Sequence, residues 1–236
     1  GVITSNILSP QIDMQTQIKD LKIETLSLPT SQGQVKLNLD RFQFVGQIFG
    51  RQLQLDLNVP FSNKDKFSIK AQARDFNPLV LLPLISLPLP PNDTYATVSG
   101  DVDLSADTLR LQKLTGSIQV DNVLLQRSSQ FLKLKKPSTL IFNKGLQKMT
   151  PLELVGSEQN LRVMLKNGSS SDLMIDGRIF LRPLQFLVPF SDNLSGIAEI
   201  SCLLDLSADR LSLNGEGLID SASFSMKGFK YPINDI

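Results

Sequence analysis

An all-β fold is predicted by three features: short runs in which apolar and polar residues alternate, Gly or Asn between several of those runs, and a Pro-bracketed apolar segment that recurs about a hundred residues later. Alternation of period two puts one face of a strand in water and the other against apolar surface. A repeat of that length points to a repeat architecture.

From Ile12 the chain alternates in short bursts. The pattern becomes plain at Val35, Leu37 and Leu39, and again at Leu53, Leu55, Leu57 and Val59. Phe42 and Phe44 read as a strand that turns within residues 46–50, Pro60 closes the following strand, and Phe67 to Ala73 is the next. Then comes the first copy of the recurring segment, Phe76 to Asp107. Asn77 and Pro78 form a helix start, because Asn can cap free amides of the first turn and Pro has its φ already set. Pro83 limits that helix to a turn or so. The second copy opens at Arg182-Pro183 without a capping side chain, so one or two short apolar helices are expected. Pro78-Leu79 answers Pro183-Leu184, Ser99-Gly100 answers Ser195-Gly196, and Asp103 to Asp107 answers Asp205 to Asp209.

The second copy carries six more residues between its Ser-Gly and its Asp-Leu-Ser-Ala-Asp. Six is even, so Gly196, Ala198, Ile200, Cys202, Leu204 and Leu206 keep the face that Gly100, Val102 and Leu104 occupy in the first; an odd insertion would turn the strand inside out. Further strands are predicted at Leu114 to Leu125, Phe131 to Leu134, Thr139 to Phe142, Leu152 to Val155, Leu161 to Leu165, Leu173 to Leu181, Leu211 to Ile219 and Ala222 to Met226. Turns are expected at Asn143 to Gly145, Asn167-Gly168 and Lys227-Gly228. Sheets of this many strands curl, close or split. We therefore expect a long curled sheet with its apolar face inside, continuous over residues 1–236, with repeat-like units at about 67–145 and 173–236.

The 236 residues are 41 % apolar and 20 % charged, too apolar for a disordered chain. A formal charge of +1 argues against nucleic acid, which needs clustered cations; the dense basic run Lys133, Lys135 and Lys136 reads as a solvated strand face. No apolar run reaches the length of a membrane span; Leu79 to Leu89 is short and cut by Pro83 and Pro88. Gly1 follows no initiator Met and opens no leader, which we read as the start of a fragment.

Histidine is absent, which removes the commonest general base, the Ser-His-Asp arrangement and nearly every zinc site. Cys202 falls in phase with Ile200 and Leu204 and reads as a packed residue, not a nucleophile. Asp101, Asp103 and Asp205 take wet-face positions. Gly215-Glu216-Gly217 lacks the third Gly of a phosphate loop and reads as strand glycines. The sequons at Asn92, Asn167 and Asn193 matter only in a eukaryotic secretory chain. The expectation is a non-enzymatic chain without cofactor or metal.

The cassette of Pro-Leu-x-x-Leu, Ser-Gly-x-(apolar)-Asp-Leu-Ser-Ala-Asp, Leu-x-Leu and a Gly-x-Ile strand resembles the repeats of the TamB and AsmA-like proteins, most clearly from Phe67 to Leu125 and from Leu173 to Met226. The resemblance implies a U-shaped sheet, the β-taco, with a hydrophobic groove along its interior. It also implies a parent protein anchored in the inner membrane of a diderm bacterium and reaching across the periplasm. Its partner would be an outer-membrane BamA-type barrel, and its role phospholipid movement or outer-membrane protein assembly.

On this reading phospholipid acyl chains lie against a stripe formed by Val35, Leu37, Leu39, Leu53, Leu55, Leu57, Val102, Leu104, Ile200, Cys202, Leu204, Leu206, Leu211 and Leu213. Leu79, Leu82, Leu184 and Leu187 form the rim. Two alternatives compete: a structural β-solenoid or adhesin-like module with a filled core, which would show repeats of about 20 to 30 residues, and a compact β-sandwich or barrel that binds a partner protein.

Overall fold

The computed structural model describes residues 2–6, 9–19, 22–23, 26–27, 29–62, 65–85, 87, 90–91, 93–108, 110–166, 172–182, 191–206, 212–226 and 233–234. Nearly all of them form strands: β1 (Val2–Asn6), β2 (Ser9–Ile18), β3 (Lys22–Ile23), β4 (Leu26–Ser27), β5 (Ser31–Leu37), β6 (Arg41–Ile48), β7 (Leu53–Pro60), β8 (Phe67–Phe76), β9 (Thr94–Ala106) and β10 (Thr115–Arg127). There follow β11 (Gln130–Leu134), β12 (Ser138–Asn143), β13 (Leu146–Met149), β14 (Leu152–Gly156), β15 (Gln159–Leu165), β16 (Asp172–Phe180), β17 (Ser191–Asp205), β18 (Ser212–Met226) and β19 (Ile233–Asn234). Apart from the β3–β4 hairpin they belong to one open antiparallel sheet that does not close into a barrel, so the chain is all-β as expected.

The chain divides into two compact units that interleave in sequence. Unit 1 takes Gly1–Phe76, Ser99–Val120 and Thr139–Lys148; unit 2 takes Asn77–Val98, Asp121–Ser138 and Met149–Ile236.

In unit 1, β1, β2, β5, β6, β7 and β8 pair in that order. Short hairpins set the register. After β5, the Asn38 side-chain oxygen accepts the N–H groups of Asp40 and Arg41 at 2.9 and 2.8 Å, an Asx turn that ends the strand at Leu37. Between β6 and β7, Phe49 and Gly50 adopt φ of 56° and 74°, the left-handed conformation that matches the twist of the flanking strands. The expected turn after Asn143 forms in the same way, with positive φ at Lys144 and Gly145.

In unit 2 the order is β11, β14, β15, β16, β17, β18 and β19. The predicted break between Ile219 and Ala222 is absent, since β18 runs unbroken from Ser212 to Met226. One residue of slack is instead taken up where the register shifts between Ser195 and Ile197, with Gly196 at φ 117°. The extra residue of that bulge belongs to β18, where positions 221 and 222 stand opposite Gly196 alone, so β17 gains none there and Ala198, Ile200, Cys202 and Leu204 alternate regularly.

The first apolar segment folds as a 310 helix, Pro78–Ile85. Its start is the one expected: the Asn77 side-chain oxygen accepts the Leu79 N–H at 3.1 Å. It continues past Pro83, as three-residue winding and not as an α-helix. The second apolar segment, with Leu184 and Leu187, lies outside the described residues, as do the turns predicted at Asn167-Gly168 and Lys227-Gly228.

Candidate functional site

Register builds one apolar surface in unit 1. Met14, Val35, Phe44, Leu57 and Ile69 are cross-strand partners in sequence, each opposite the next. Ile12, Leu37, Phe42 and Val59 form a parallel row, and Ile48, Leu53 and Ala73 another. Between them runs Gly33, Gly46, Leu55 and Ala71, where a Cβ added at either glycine would fall 2.6 to 2.7 Å from the Phe44 ring. The ring thus lies flat on the backbone it crosses. Val102 and Leu104 continue the surface. Gln72 bonds Asp101 at 2.9 Å and Lys70 pairs with Asp103 at 3.5 Å on the opposite face, so the residues between them turn to the apolar side.

Among the described residues these side chains are only partly covered. Val35, Leu37, Leu53, Leu55, Leu57 and Val102 are half-buried, and of the predicted stripe in this unit Leu104 alone is buried. Leu39 departs from the prediction. The Asx turn of Asn38 ends the strand before it, and Leu39 sits in the turn at 63 % exposure.

Unit 2 repeats the arrangement. Leu154 faces Leu161, which faces Gly177, Ile200 and Gly217 in turn. Leu152, Val163, Ile175, Cys202 and Gly215 form the next row, and Leu165, Leu173, Leu204 and Leu213 a third. Ile200, Cys202, Leu204 and Leu206 are half-buried; Leu213 lies on the same face but is 63 % exposed. Leu211 is outside the described residues.

One end of this face is pinched. β11 and β16 both run past the tip of the β14–β15 hairpin, and the buried Gln159 side chain fills the place of the missing strand ends. Its amide donates to the Phe131 carbonyl at 2.6 Å and its oxygen accepts the Phe180 N–H at 3.2 Å. A flat sheet would hold β11 and β16 three strand spacings apart, about 14 Å; here one amide group spans them. The sheet of unit 2 is therefore curled, with the apolar side inward: Leu132, Ile179 and Ala198 meet in a buried cluster flanked by Leu154, Leu161, Leu181 and Ile200.

At the same end Arg127, itself buried, donates to the Asp93 carboxylate at 3.2 Å and to the Arg182 carbonyl at 3.0 Å. Burial pushes the Asp93 carboxyl up, but the Ser128 hydroxyl and the Arg127 charge outweigh it and hold the group below its ordinary range. The 310 helix lies here too, with Leu79 and Leu82 buried on Ala96 and beside Leu125. Both predicted rim residues that are described are thus packed in this cluster.

Asp101 and Asp103, weighed for catalysis, occupy the other face, whereas Cys202 stands in the apolar row. Asp101 pairs with Arg74 at 3.4 Å and Asp103 with Lys70. Lys135 and Arg162 flank Glu153 at 3.0 and 3.4 Å, and the hydrogen bond and charge of Lys135 lower the Glu153 carboxyl. Gly215 and Gly217 are strand glycines opposite Cys202 and Ile200. Among the described residues no group of three or more metal-ligating side chains is gathered, and no helix is long and apolar enough to cross a membrane.

The predicted stripe omitted Ile12, Met14, Phe42, Phe44, Ile69, Leu154, Leu161, Val163 and Ile175. All belong to runs whose alternation was legible; the missing information was which strand lies beside which. What the two faces offer chemically is apolar surface, partly open to solvent, edged in unit 1 by the Thr16 hydroxyl opposite Gly33, which donates to the Gly33 carbonyl at 3.1 Å. Compared with known protein families, with curated proteins and with solved structures, the chain matches none.

Proposed function

We propose that this chain is a non-enzymatic hydrophobic-groove segment that shields or conducts phospholipid acyl chains. It would serve a bridge between inner and outer membrane across the periplasm and support outer-membrane biogenesis, with a BamA-type barrel as the parent protein's partner. The observation that carries the reading is the apolar face of each unit, unbroken from strand to strand and left half-exposed. A filled solenoid or sandwich core would bury those same side chains.

An acyl chain laid on such a face gains about 0.8 kcal/mol for each CH2 removed from water. Neighbouring rows offer nearly the same surface, Leu55 and Leu57 in one unit or Ile200, Cys202 and Leu204 in the other. A chain held there has no single preferred seat and can slide. Polar headgroups stay outside, since the rows contain no donor or charge to meet them.

The test is to purify the chain without detergent, extract it with organic solvent and look for phospholipid by mass spectrometry. Leu55→Asp and Ile175→Asp place a charge in the middle of each face. Lipid in the wild-type extract, reduced in each variant, is expected. A lipid-free wild-type chain, or equal lipid in all three, contradicts the proposal.

A further inference from the structure

β18 is an outer strand of unit 2 over most of its length. β17 pairs with it from Ser212 to Met226 on one side, whereas β19 reaches only Ser223 and Phe224 on the other. From Ser212 to Asp220, then, one row of its backbone N–H and C=O groups meets no described strand. Such an edge is a template for another strand unless it is short or guarded by Pro or Lys. Ser212 to Asp220 contains neither residue, and Leu213 to Ile219 are all exposed, Leu213 and Leu218 at 63 %. Both faces of the edge are unfinished. On the polar face a cross-strand row runs Glu153, Arg162, Asp176, Ser201 and Glu216. Lys135 and Arg162 flank Glu153, and Asp176 accepts from the Ser201 hydroxyl at 2.8 Å. Glu216, at the end of the row, has no hydrogen bond or ion pair with any described residue; Arg178, which lines the same shallow depression, is held by Glu199 at 3.7 Å. On the apolar face Gly217 stands opposite Ile200, and a Cβ built on it would have no neighbour closer than the Glu199 carbonyl oxygen at 3.8 Å. Ile200 therefore has no side chain beside it toward the edge.

We propose that this edge takes, as its next strand, an extended segment of another protein in which a basic residue stands between two large apolar ones. Backbone pairing at a sheet edge supplies affinity without regard to sequence, and the side chains choose the partner. Adjacent residues of a strand point to opposite faces. A segment whose cation stands beside Glu216 thus puts its two flanking residues on the apolar face, beside Gly215 and Gly217. A large side chain beside Gly217 closes the gap next to Ile200, as bulky neighbours do for edge glycines. The cation completes the carboxylate at the end of the row. A second copy of this chain fits less well: edge against edge, it brings Glu216 toward a strand whose only charges from Ser212 to Asp220 are Glu216 and Asp220, and like charges across strands repel.

Fluorescence anisotropy of labelled peptides reads the binding. The probe is the acetylated, amidated peptide Ser-Thr-Ile-Lys-Ile-Thr-Ser; the controls carry Glu in place of the Lys, or Gly in place of both Ile. The Lys peptide should bind saturably, about fivefold more tightly than the Glu peptide at low salt, and more tightly than the Gly peptide. Glu216→Lys should reverse the preference between the Lys and Glu peptides, which a loss of structure would not do. If that variant loses its far-UV circular dichroism, the three-peptide comparison on the wild type decides. Absence of saturable binding, equal binding of the Lys peptide and either control, or an unchanged preference in the folded variant overturns the proposal. A dimer of the chain alone, detected by sedimentation and abolished by Leu218→Lys, also overturns it, because a second copy then holds the edge. The titrations are run without lipid, so they succeed or fail independently of lipid binding.

Discussion

Replacing Gln159 by leucine removes the one side chain that closes the pinched end of unit 2, and the structure sets the size of the effect. Phe131 pairs with Gln126 next to the Arg127–Gln130 pair that closes the hairpin; its carbonyl therefore points away from β10, beyond the end of β14, where no backbone is available. Phe180 lies beyond the last β15–β16 pair, Asn160 with Arg178, so its N–H meets no strand either. Gln159 serves both, at 2.6 and 3.2 Å, and is only 4 % exposed.

Leucine has a similar volume and leaves no cavity, but it strands one buried acceptor and one buried donor. At about 1 to 3 kcal/mol for each such group, the loss is about 2 to 4 kcal/mol after part of it is offset by the apolar replacement. Urea denaturation followed by far-UV circular dichroism measures it, with the m-value checked so that a midpoint shift can be read as stability. Gln159→Glu keeps the acceptor for Phe180 but sets a carboxylate against the Phe131 carbonyl, and should cost at least as much at pH 7. A loss below about 0.5 kcal/mol for Gln159→Leu, the range of an ordinary surface change, would refute the claim that this amide holds the curl.

Three further outcomes are expected. Gly46→Val sets a Cβ 2.5 Å from the Gln32 carbonyl oxygen and 2.7 Å from the Phe44 ring, so backbone and ring must both shift; it should destabilise unit 1 by about 1 to 3 kcal/mol, read as a lower urea midpoint. Asp93→Asn tests the Arg127 latch. The Asp93 carboxyl is held below its ordinary range when folded, so its contribution is present above about pH 4 and is lost as pH falls through the lower folded value. The difference between variant and wild type should therefore be largest at pH 7 and shrink toward pH 2. Leu82→Asp expels the 310 helix from its seat on Ala96 and Leu125, and should increase cleavage within residues 77–93 in limited proteolysis. The same variant should leave more apolar surface open to a fluorescent fatty acid, and unchanged cleavage and uptake would count against a rim role for Leu82.

Much of the sheet was legible because its strands are amphipathic. Val35 to Leu37, Leu53 to Val59 and Ile200 to Leu204 alternate over enough residues that tertiary packing had nothing to override. Leu39 was misplaced because Asn38 ends its strand through its own side chain, and an Asx turn competes with the strand ladder without disturbing the apolar pattern. The unbroken β18 was cut in the prediction because Asp220, Ser221 and Ala222 resemble a turn. On a long strand whose neighbour supplies the backbone partners, their weak strand preference is outweighed. Gln159 was invisible for a different reason. A glutamine carries no signal until register states what stands opposite it, and register is a property of pairs of strands.

The central claim is that the two apolar faces touch lipid and the polar faces do not. Photo-crosslinking amino acids placed one at a time at Val102 and Cys202, and at their neighbours Asp101 and Ser201, report this directly, since adjacent residues on a strand point to opposite faces. After irradiation in cells, lipid adducts detected by mass spectrometry should form at Val102 and Cys202 and be absent at Asp101 and Ser201. Equal labelling at all four positions, or adducts confined to Asp101 and Ser201, would contradict the account.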